Sequence, residues 1–409
     1  MQKRAIVLIP LFCWISSRAA PQVAPNDSIS FSQAREFILA QNAGLRSVES
    51  EIEAAKEGVK QAGVLLNPSG SIGLERFGAN EIEASVGQTI ELGGKRRLRT
   101  EAAMKELEAT RNQRKLSDLE LEAEITRRFI PIAIISRKLT LLDSIIKTAE
   151  ATKEQIRMKV DAGASRKTDF IRAEIGIEQL AIERSEIVRE IAQARIRFAA
   201  LGGDRDSALL KVSGSLNIEA AVPSLDDLRN AIKNNPRFAA TEILLALLET
   251  QKKQLKAESV PDMNLSAGYI HKKPENVDAP LVGLSMDIPL FNRNTAAQKQ
   301  LELQRKAINE RRENDLRILD ADVQDLYSRL MEINKKIAAL RTGTIPKAET
   351  VFAMLHEYYN AGSASFLDLT TAQSELLRLR MDLLAIESEW AHVSADLMRS
   401  TSLPIQIVK

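Results

Sequence analysis

The sequence predicts a mainly α-helical protein, built from duplicated long coiled helical hairpins, that also carries four amphipathic strands. Three observations lead to this fold class. Apolar residues recur with a heptad period over most of the chain, two segments alternate apolar and polar residues, and the whole pattern occurs twice. With 409 residues, the chain is long enough for two or three ordinary domains.

The heptad period is clearest between residues 294 and 361, where apolar residues are spaced alternately by three and four positions. The series is Leu316, Leu319, Val323, Leu326, Leu330, Ile333, Ile337 and Leu340. A sustained period of 3.5 winds helices around one another. The region 96–161 is comparably long, although Pro131 is expected to kink it. A helix of about 66 residues is roughly 100 Å long, so the sequence predicts a rod or wall of helices.

Two segments have the period of strands. Between Glu81 and Leu92, apolar residues occupy even positions and polar residues occupy odd positions, with Gln88 as the exception. A second alternating run ends at Leu290, and each run has a partner segment just upstream. The sequence therefore predicts two β-hairpins, at 69–92 and 262–291.

The two halves of the chain match in order. Asn42 corresponds to Asn235, Pro68 to Pro261, and the Ala-Gly pair before each last helix recurs. The first repeat, 20–215, is predicted to hold a helix of about 36 residues, the hairpin 69–92, a long helix 96–161 and a helix 165–201. The second repeat, 216–409, is predicted to hold a similar first helix, the hairpin 262–291, a long helix 294–361 and a helix 363–400. This is a duplication on the scale of a domain.

The amino-terminal segment 1–19 has the pattern of a signal peptide. Lys3 and Arg4 precede an apolar run at 5–15, and small residues at Ser17 and Ala19 fit a cleavage site. The run is too short to span a bilayer, which takes roughly 20 residues. We therefore expect an exported protein from which Cys13 is removed with the signal.

Composition excludes several other functions. The chain has 57 Lys and Arg against 55 Asp and Glu, so it has no overall basic field for nucleic acid. Its single cysteine and three widely separated histidines provide neither a disulfide framework nor a clustered metal site. No nucleophile, base and orienting group stand at a recognisable spacing. We expect no enzymatic activity, no cofactor and no bound metal.

The strands fit the wall of an outer-membrane barrel, because one face is apolar and the other carries Glu, Ser, Thr and Gly. Four strands cannot close a barrel, and an open edge in lipid leaves unpaired backbone groups that cost several kcal/mol each. Copies of the chain must therefore assemble. Two copies would give eight strands, the smallest barrel in this setting, and three would give twelve.

Several motifs resemble the outer membrane efflux protein (TolC-like) family. Asn67-Pro68 and the run 88–96 resemble its first-repeat signature, and the runs 287–293 and 359–373 resemble segments of its second repeat. The resemblance is closest to the outer-membrane subunits of cobalt-zinc-cadmium type heavy-metal efflux pumps. It implies a homotrimer with a twelve-stranded barrel in the bacterial outer membrane and an α-helical tunnel in the periplasm. A periplasmic adaptor and an inner-membrane pump would open its closed tip.

Under this resemblance, the turns at Gly163 and Gly362 form the periplasmic tip that docks onto the adaptor. Asp368, Asp169 and Arg166 are the candidate aperture gate, because like charges near a symmetry axis repel one another and attract cations. The alternative is that the two acids are ordinary first-turn residues favoured by the helix dipole.

Gly93, Gly94 and Lys95 are interpreted as a bend from strand to helix, since the glycine and Ser or Thr spacing of a phosphate-binding loop is missing. Lys95, Arg96, Arg97 and Arg99 would then lie at the periplasmic rim of the barrel. There they either contact outer-membrane lipid or form an uninvolved first helical turn.

The resulting hypothesis is a passive exit duct of a tripartite efflux system, with heavy-metal cations as the first substrate class. A drug efflux or type I secretion duct of the same fold is the alternative. A periplasmic adaptor or a coiled-coil structural protein represents another class, but neither explains the period-two strands.

Overall fold

The structure is a computed structural model that describes residues 29–75, 81–203, 212–218, 221–273 and 276–408. The predicted signal peptide at 1–19 lies outside these residues. Long helices and one four-stranded sheet make up the described chain. Within it, no helix combines the length and apolarity needed to span a membrane.

The first half contains four α-helices, which are α1 (Phe31–Gln41), α2 (Ala43–Ala62), α3 (Lys95–Asp161) and α4 (Lys167–Ala199). The prediction of one helix of about 36 residues before the first hairpin is wrong. Asn42 is extended, and its side-chain oxygen accepts the backbone N–H of Leu45 at 3.1 Å, which starts a new helix. By contrast, α3 continues through Pro131 without interruption for 67 residues.

The second half contains α5 (Leu225–Ile232), α6 (Pro236–Glu258), α7 (Thr295–Ala339), α8 (Ile345–Asn360) and α9 (Phe366–Thr401). Its first helix is also divided, because extended Asn235 caps α6 and Pro236 occupies the first helical position. The long helix predicted at 294–361 is helical from Thr295 to Asn360, but it is not one uninterrupted α-helix. A π-helical turn, Leu340–Thr344, separates α7 from α8.

The four strands are β1 (Ser69–Glu75), β2 (Glu81–Ile90), β3 (Met263–Lys272) and β4 (Val277–Met286), and they form one antiparallel sheet in that order. The two hairpins meet through β2 and β3, in a register that runs from Glu81↔Lys272 to Ile90↔Met263. The outer edges of β1 and β4 have no partner strand in the described chain. The second hairpin stops at Met286, short of the predicted residue 291, because Met286 pairs with Met263, where β3 begins.

Directly paired residues of the sheet share a face. One face carries apolar side chains that are largely exposed in the single chain, including Ile72 at 79% and Val282 at 77%. The opposite face carries short polar contacts, such as Ser71 Oγ to Ser85 Oγ at 2.7 Å and Lys272 Nζ to Glu81 Oε1 at 2.7 Å. The sheet is therefore amphipathic over all four strands.

The main hydrophobic core lies where the middle of α3 meets α1, α4, α5, α7 and the end of α9. Phe129 and Trp390 are fully buried there. Two short bridges, Ser30↔Ser213 and Leu216↔Val408, bring the segments 212–218 and 403–408 against this core. We call this core, together with the segments 212–218 and 403–408, the central belt. Periodicity did not predict the central belt, because these segments are short and have no clear period.

Candidate functional site

The turn between α3 and α4 depends on a left-handed backbone. Gly163 has φ +74°, its N–H bonds to the carbonyl of Val160 at 2.9 Å, and Ala164 N bonds to Lys159 O at 2.7 Å. This is the double hydrogen bond that closes helices at a left-handed residue. A Cβ on Gly163 would meet nothing within 4 Å. Glycine is therefore required by the backbone angle and not by crowding.

The turn between α8 and α9 has the same geometry. Gly362 has φ +77°, Gly362 N bonds to Tyr359 O at 3.1 Å, and Ser363 N bonds to Tyr358 O at 2.8 Å. A Cβ on Gly362 would also lie in open space. In each half of the chain, the long helical segment thus ends in a turn of the same geometry.

Lys159 connects the two turns. Its Nζ donates to Tyr359 O at 2.8 Å and lies 4.3 Å from the centre of the Tyr359 ring. An ammonium group at the last carbonyls of α8 also complements the helix dipole. The periodicity of the sequence did not predict this contact. The available signal was a lysine in the last turn of one long helix and a tyrosine in the last turn of the other.

Tyr359 anchors a small core with Ile156, Ala173, Phe366 and Leu369, which belong to both halves of the chain. Burial raises the pKa of its phenol, and the charge of Asp169 adds to the shift. The nearby Ser165 hydroxyl donates to Asp169 Oδ2 at 3.4 Å. The Tyr359 hydroxyl is buried without a hydrogen-bond partner in the described chain.

The predicted gate residues lie at the starts of α4 and α9. Asp368 is exposed and completes a capping box with Ser365, whose hydroxyl donates to Asp368 Oδ2 at 2.6 Å. The Ser365 side chain and then its backbone N–H lower the pKa of Asp368. Asp169 occupies the first turn of α4, and exposed Arg166 caps that helix without a side-chain hydrogen bond to its backbone. The acids thus have a structural role that is compatible with a gate.

The predicted bend from β2 into α3 contains two left-handed residues, Gly93 at φ +70° and Gly94 at φ +73°. Asp262 holds the bend from the other half of the chain. Its Oδ1 accepts Leu92 N at 3.0 Å and lies 2.7 Å from Lys95 Nζ. Lys95 is therefore committed to an ion pair within the chain.

Arg99 fixes the same junction to the end of α2. Its guanidinium binds both carboxylate oxygens of Glu91, at 2.6 and 3.3 Å, and donates to the carbonyls of Ala62 and Val64. Of the four basic residues predicted for the rim, Lys95 and Arg99 are thus held inside the chain, whereas Arg96 and Arg97 are exposed.

A groove of about 260 Å³ lies between α3, α4 and α9, just before the tip. Its lining includes Arg172, Glu183, Phe366 and Gln373. In the described part of the chain, no group of three or more His, Cys, Asp or Glu side chains is arranged to hold a metal ion.

Part of the chain matches a known protein family, and several characterised proteins are similar to it in sequence. The family described as Outer membrane efflux protein matches residues 228–402. The cobalt-zinc-cadmium resistance protein CzcC of Cupriavidus metallidurans is 24% identical over 353 residues, which cover 84% of this chain and 83% of that protein. The nickel and cobalt resistance protein CnrC of the same organism is 24% identical over 254 residues, 60% of each chain.

Solved structures share the fold. The crystal structure of CusC superposes with a TM-score of 0.74 at 15% identity and covers 91% of both chains. The outer membrane protein VceC of Vibrio cholerae superposes with a TM-score of 0.73 at 16% identity, and the match covers 91% of this chain and 95% of VceC. Residues 228–402 therefore form an outer membrane efflux protein domain, within a chain that has the fold of the outer-membrane efflux channels.

Proposed function

We propose that three copies of the chain form a passive exit duct in the bacterial outer membrane, which extends into the periplasm. An inner-membrane pump drives export, and a periplasmic adaptor joins pump and duct. The observation that carries the proposal is the four-stranded sheet, which has one exposed apolar face and two unpaired edges and continues directly into long helices. Such a sheet is stable in lipid only in a closed ring. The proposal includes no enzymatic step.

Ring closure pairs β4 of one copy with β1 of the next. The order β1-β2-β3-β4 is antiparallel throughout, so this pairing continues the alternation around twelve strands. It also places residues 287–291 of one copy beside residues 64–68 of the next. Both segments expose apolar side chains, which are Val64, Leu65, Leu66, Ile288, Leu290 and Phe291.

Cysteine cross-linking tests this closure. Cys13 is the only cysteine and belongs to the predicted signal, so introduced cysteines have no background. Leu66→Cys combined with Phe291→Cys, treated with a short bismaleimide in membranes, should give a ladder that ends at the trimer. Each single-cysteine variant is the control and should give only the monomer after treatment with the bismaleimide. A purified single-chain particle that neither cross-links nor conducts in planar bilayers would contradict the duct.

Cell fractionation separates the duct from other classes of protein. A duct is recovered with the outer membrane after detergent-free lysis and carbonate washing. Recovery in the soluble periplasmic fraction would favour a periplasmic adaptor or a coiled-coil structural protein.

Heavy-metal cations are the substrate class that we propose, because the matched relatives include a cobalt-zinc-cadmium, a nickel and cobalt, and a nickel-cobalt-cadmium resistance protein. Deleting the gene should lower tolerance to cobalt, zinc, cadmium or nickel and leave drug tolerance unchanged. The reverse result would favour drug efflux through the same fold, and loss of a secreted protein would favour type I secretion.

At the tip, we propose that the Gly163 and Gly362 turns dock onto the adaptor and that Asp368, with Asp169 and Arg166, narrows the aperture. Asp368 is exposed at the first turn of α9, where three copies around an axis would bring three carboxylates together. Asp368→Ala should weaken blockade of single channels by divalent cations. Asp382→Ala, which removes a half-buried acid of α9 that pairs with Arg378, is the control. Unchanged blockade in Asp368→Ala would remove the gate role.

The division into efflux-protein repeats at 20–215 and 216–409 belongs to the same proposal. It is supported by the shared order of divided first helix, hairpin, long helical wall, glycine turn and last helix in both halves.

A further inference from the structure

Glu387 is a fully buried acid in the wall of long helices. It lies on α9 with 0% of its side chain exposed, and its two carboxylate oxygens bind two different arginines. Arg137 of α3 holds Oε2, and Arg341 Nη2 lies 2.6 Å from Oε1. The cluster therefore joins the first half of the chain to two elements of the second half.

Arg341 stands in the π-helical turn Leu340–Thr344. A π-turn holds one more residue than an α-turn, and such turns in α-helices often lie at functional sites. The spacing of the apolar residues changes at the extra residue. The spacings of three and four end at Leu340, the next core residue is Ile345, and Pro346 follows without an N–H to donate.

The first half has no such interruption. Its long helix α3 stays α-helical from Lys95 to Asp161. Although α3 contains Pro131, it keeps one helix type over its whole length, whereas the second-half helix changes to a π-turn between α7 and α8. Beyond that point lie α8, the Gly362 turn and the start of α9.

A buried carboxylate held by two guanidinium groups is costly to separate from either of them. Removing one partner of a buried ion pair is strongly destabilising, because the remaining charge has no water to solvate it. Any rotation of α8 about the π-turn that carries Arg341 away from Glu387 must break one arm of the cluster. The cluster thus opposes movement at the point where the helix is easiest to bend.

From this geometry we infer that the π-turn is the hinge of the second-half tip and that Glu387 is the positioning residue that locks it. Arg137 supplies the fixed anchor on α3, and Arg341 supplies the arm that moves with the turn. The inference rests on the proposed duct, since it assigns a role in opening the tip. The proposed lock at Glu387 is separate from the proposed tip contacts, because it lies away from the Gly163 and Gly362 turns.

Glu387→Gln keeps the shape of the side chain and removes its charge, so both arginine contacts weaken. In planar bilayers it should raise the open probability of single channels about tenfold, the change expected when one state of a two-state element loses a charged contact. Glu389→Gln is the matched control, because Glu389 lies two residues away on α9 and pairs with Arg329 at the surface. Equal open probability in Glu387→Gln and wild type would overturn the inference.

Deleting Gly343 tests the hinge independently of the charge. Gly343 lies in the π-turn, and a Cβ there would meet nothing within 4 Å, so its removal takes away no packed side chain. Removing one residue restores an α-helix with both flanking registers kept, and the open probability should fall below that of wild type. A deletion variant that opens like wild type would show that the turn is not the hinge.

Trimer recovery and unit conductance separate the failure of this inference from the failure of the duct. If the variants form conducting trimers with wild-type gating, the lock is wrong and the duct stands. If the wild type forms no conducting trimer, the duct fails and the lock fails with it.

Discussion

Lys159 Nζ lies 2.8 Å from the carbonyl oxygen of Tyr359 and 4.3 Å from the centre of its ring. One side chain from the last turn of α3 thus caps the last turn of α8. The contact joins the two halves of the chain at the tip.

Replacing Lys159 by methionine should loosen this connection, because methionine keeps the apolar stem and loses the ammonium group. A desolvated cation over an aromatic ring contributes up to about 2 kcal/mol. We expect a larger leak current in bilayers and faster hydrogen exchange at the end of α8. Lys147→Met, at an exposed position of the same helix, should change neither.

Alanine at Gly163 or Gly362 should destabilise the tip by about 1–2 kcal/mol, the cost of a left-handed backbone for a residue with a Cβ. Neither site has atoms that a Cβ would touch, so the loss reports the backbone angle alone. Gly58→Ala in α2 is the control, since it also meets open space but has no positive φ, and should stabilise by about 0.5–1 kcal/mol. Hydrogen exchange at each site measures the effects. Equal effects at all three positions would contradict this account.

Gly93→Ala should cost more than Gly94→Ala, although both residues have positive φ. A Cβ at Gly93 would lie 3.0 Å from Val260 Cβ and 3.1 Å from Ala257 O, whereas at Gly94 the nearest atoms belong to the flexible Arg97 side chain at 3.9 Å. Crowding of this kind typically adds about 1–3 kcal/mol. The midpoint of thermal unfolding measures the difference, and identical midpoints would show that the contacts with Ala257 and Val260 are unimportant.

Stability of the central belt should decrease as the pH falls below about 6.5, the ordinary pKa of histidine. Burial, and then the charge of Arg127, lower the pKa of His392. A group whose pKa is lowered by folding contributes stability above its unfolded pKa and loses it as the pH falls through the folded value. His392→Gln should flatten the dependence of the thermal midpoint between pH 7.5 and 5. His356→Gln, at the tip, should keep the wild-type slope, and an unchanged slope in His392→Gln would contradict the assignment.

Periodicity was sufficient to predict the long helices and both hairpins, because repeated burial of one face leaves a regular pattern. It failed where side chains override the pattern locally. Asn42 and Asn235 end helices through their own caps, and the π-turn after Leu340 shifts the apolar seam by one residue. The central belt was missed because its core is assembled from short segments distant in sequence.

At the tip, the sequence indicated both turns and both acids, since glycine and first-turn aspartate have local causes. It did not indicate the Lys159 and Tyr359 contact or the Glu387 cluster. Lys159 and Tyr359 are 200 residues apart, and Arg137 and Glu387 are 250 residues apart. No local pattern encodes which of these helices become neighbours.

The unlike edges of the sheet have a genetic consequence. In the proposed ring of three copies, β1 and β4 are different surfaces, so each copy must offer an intact edge to both of its neighbours, and one faulty copy prevents closure of the whole ring. In a cell that makes normal and edge-defective chains in equal amounts, only about one assembly in eight would contain three normal copies. An allele that damages the outer edge of β4, for example by adding a second proline to the one at Pro280, should therefore be dominant over the wild-type gene.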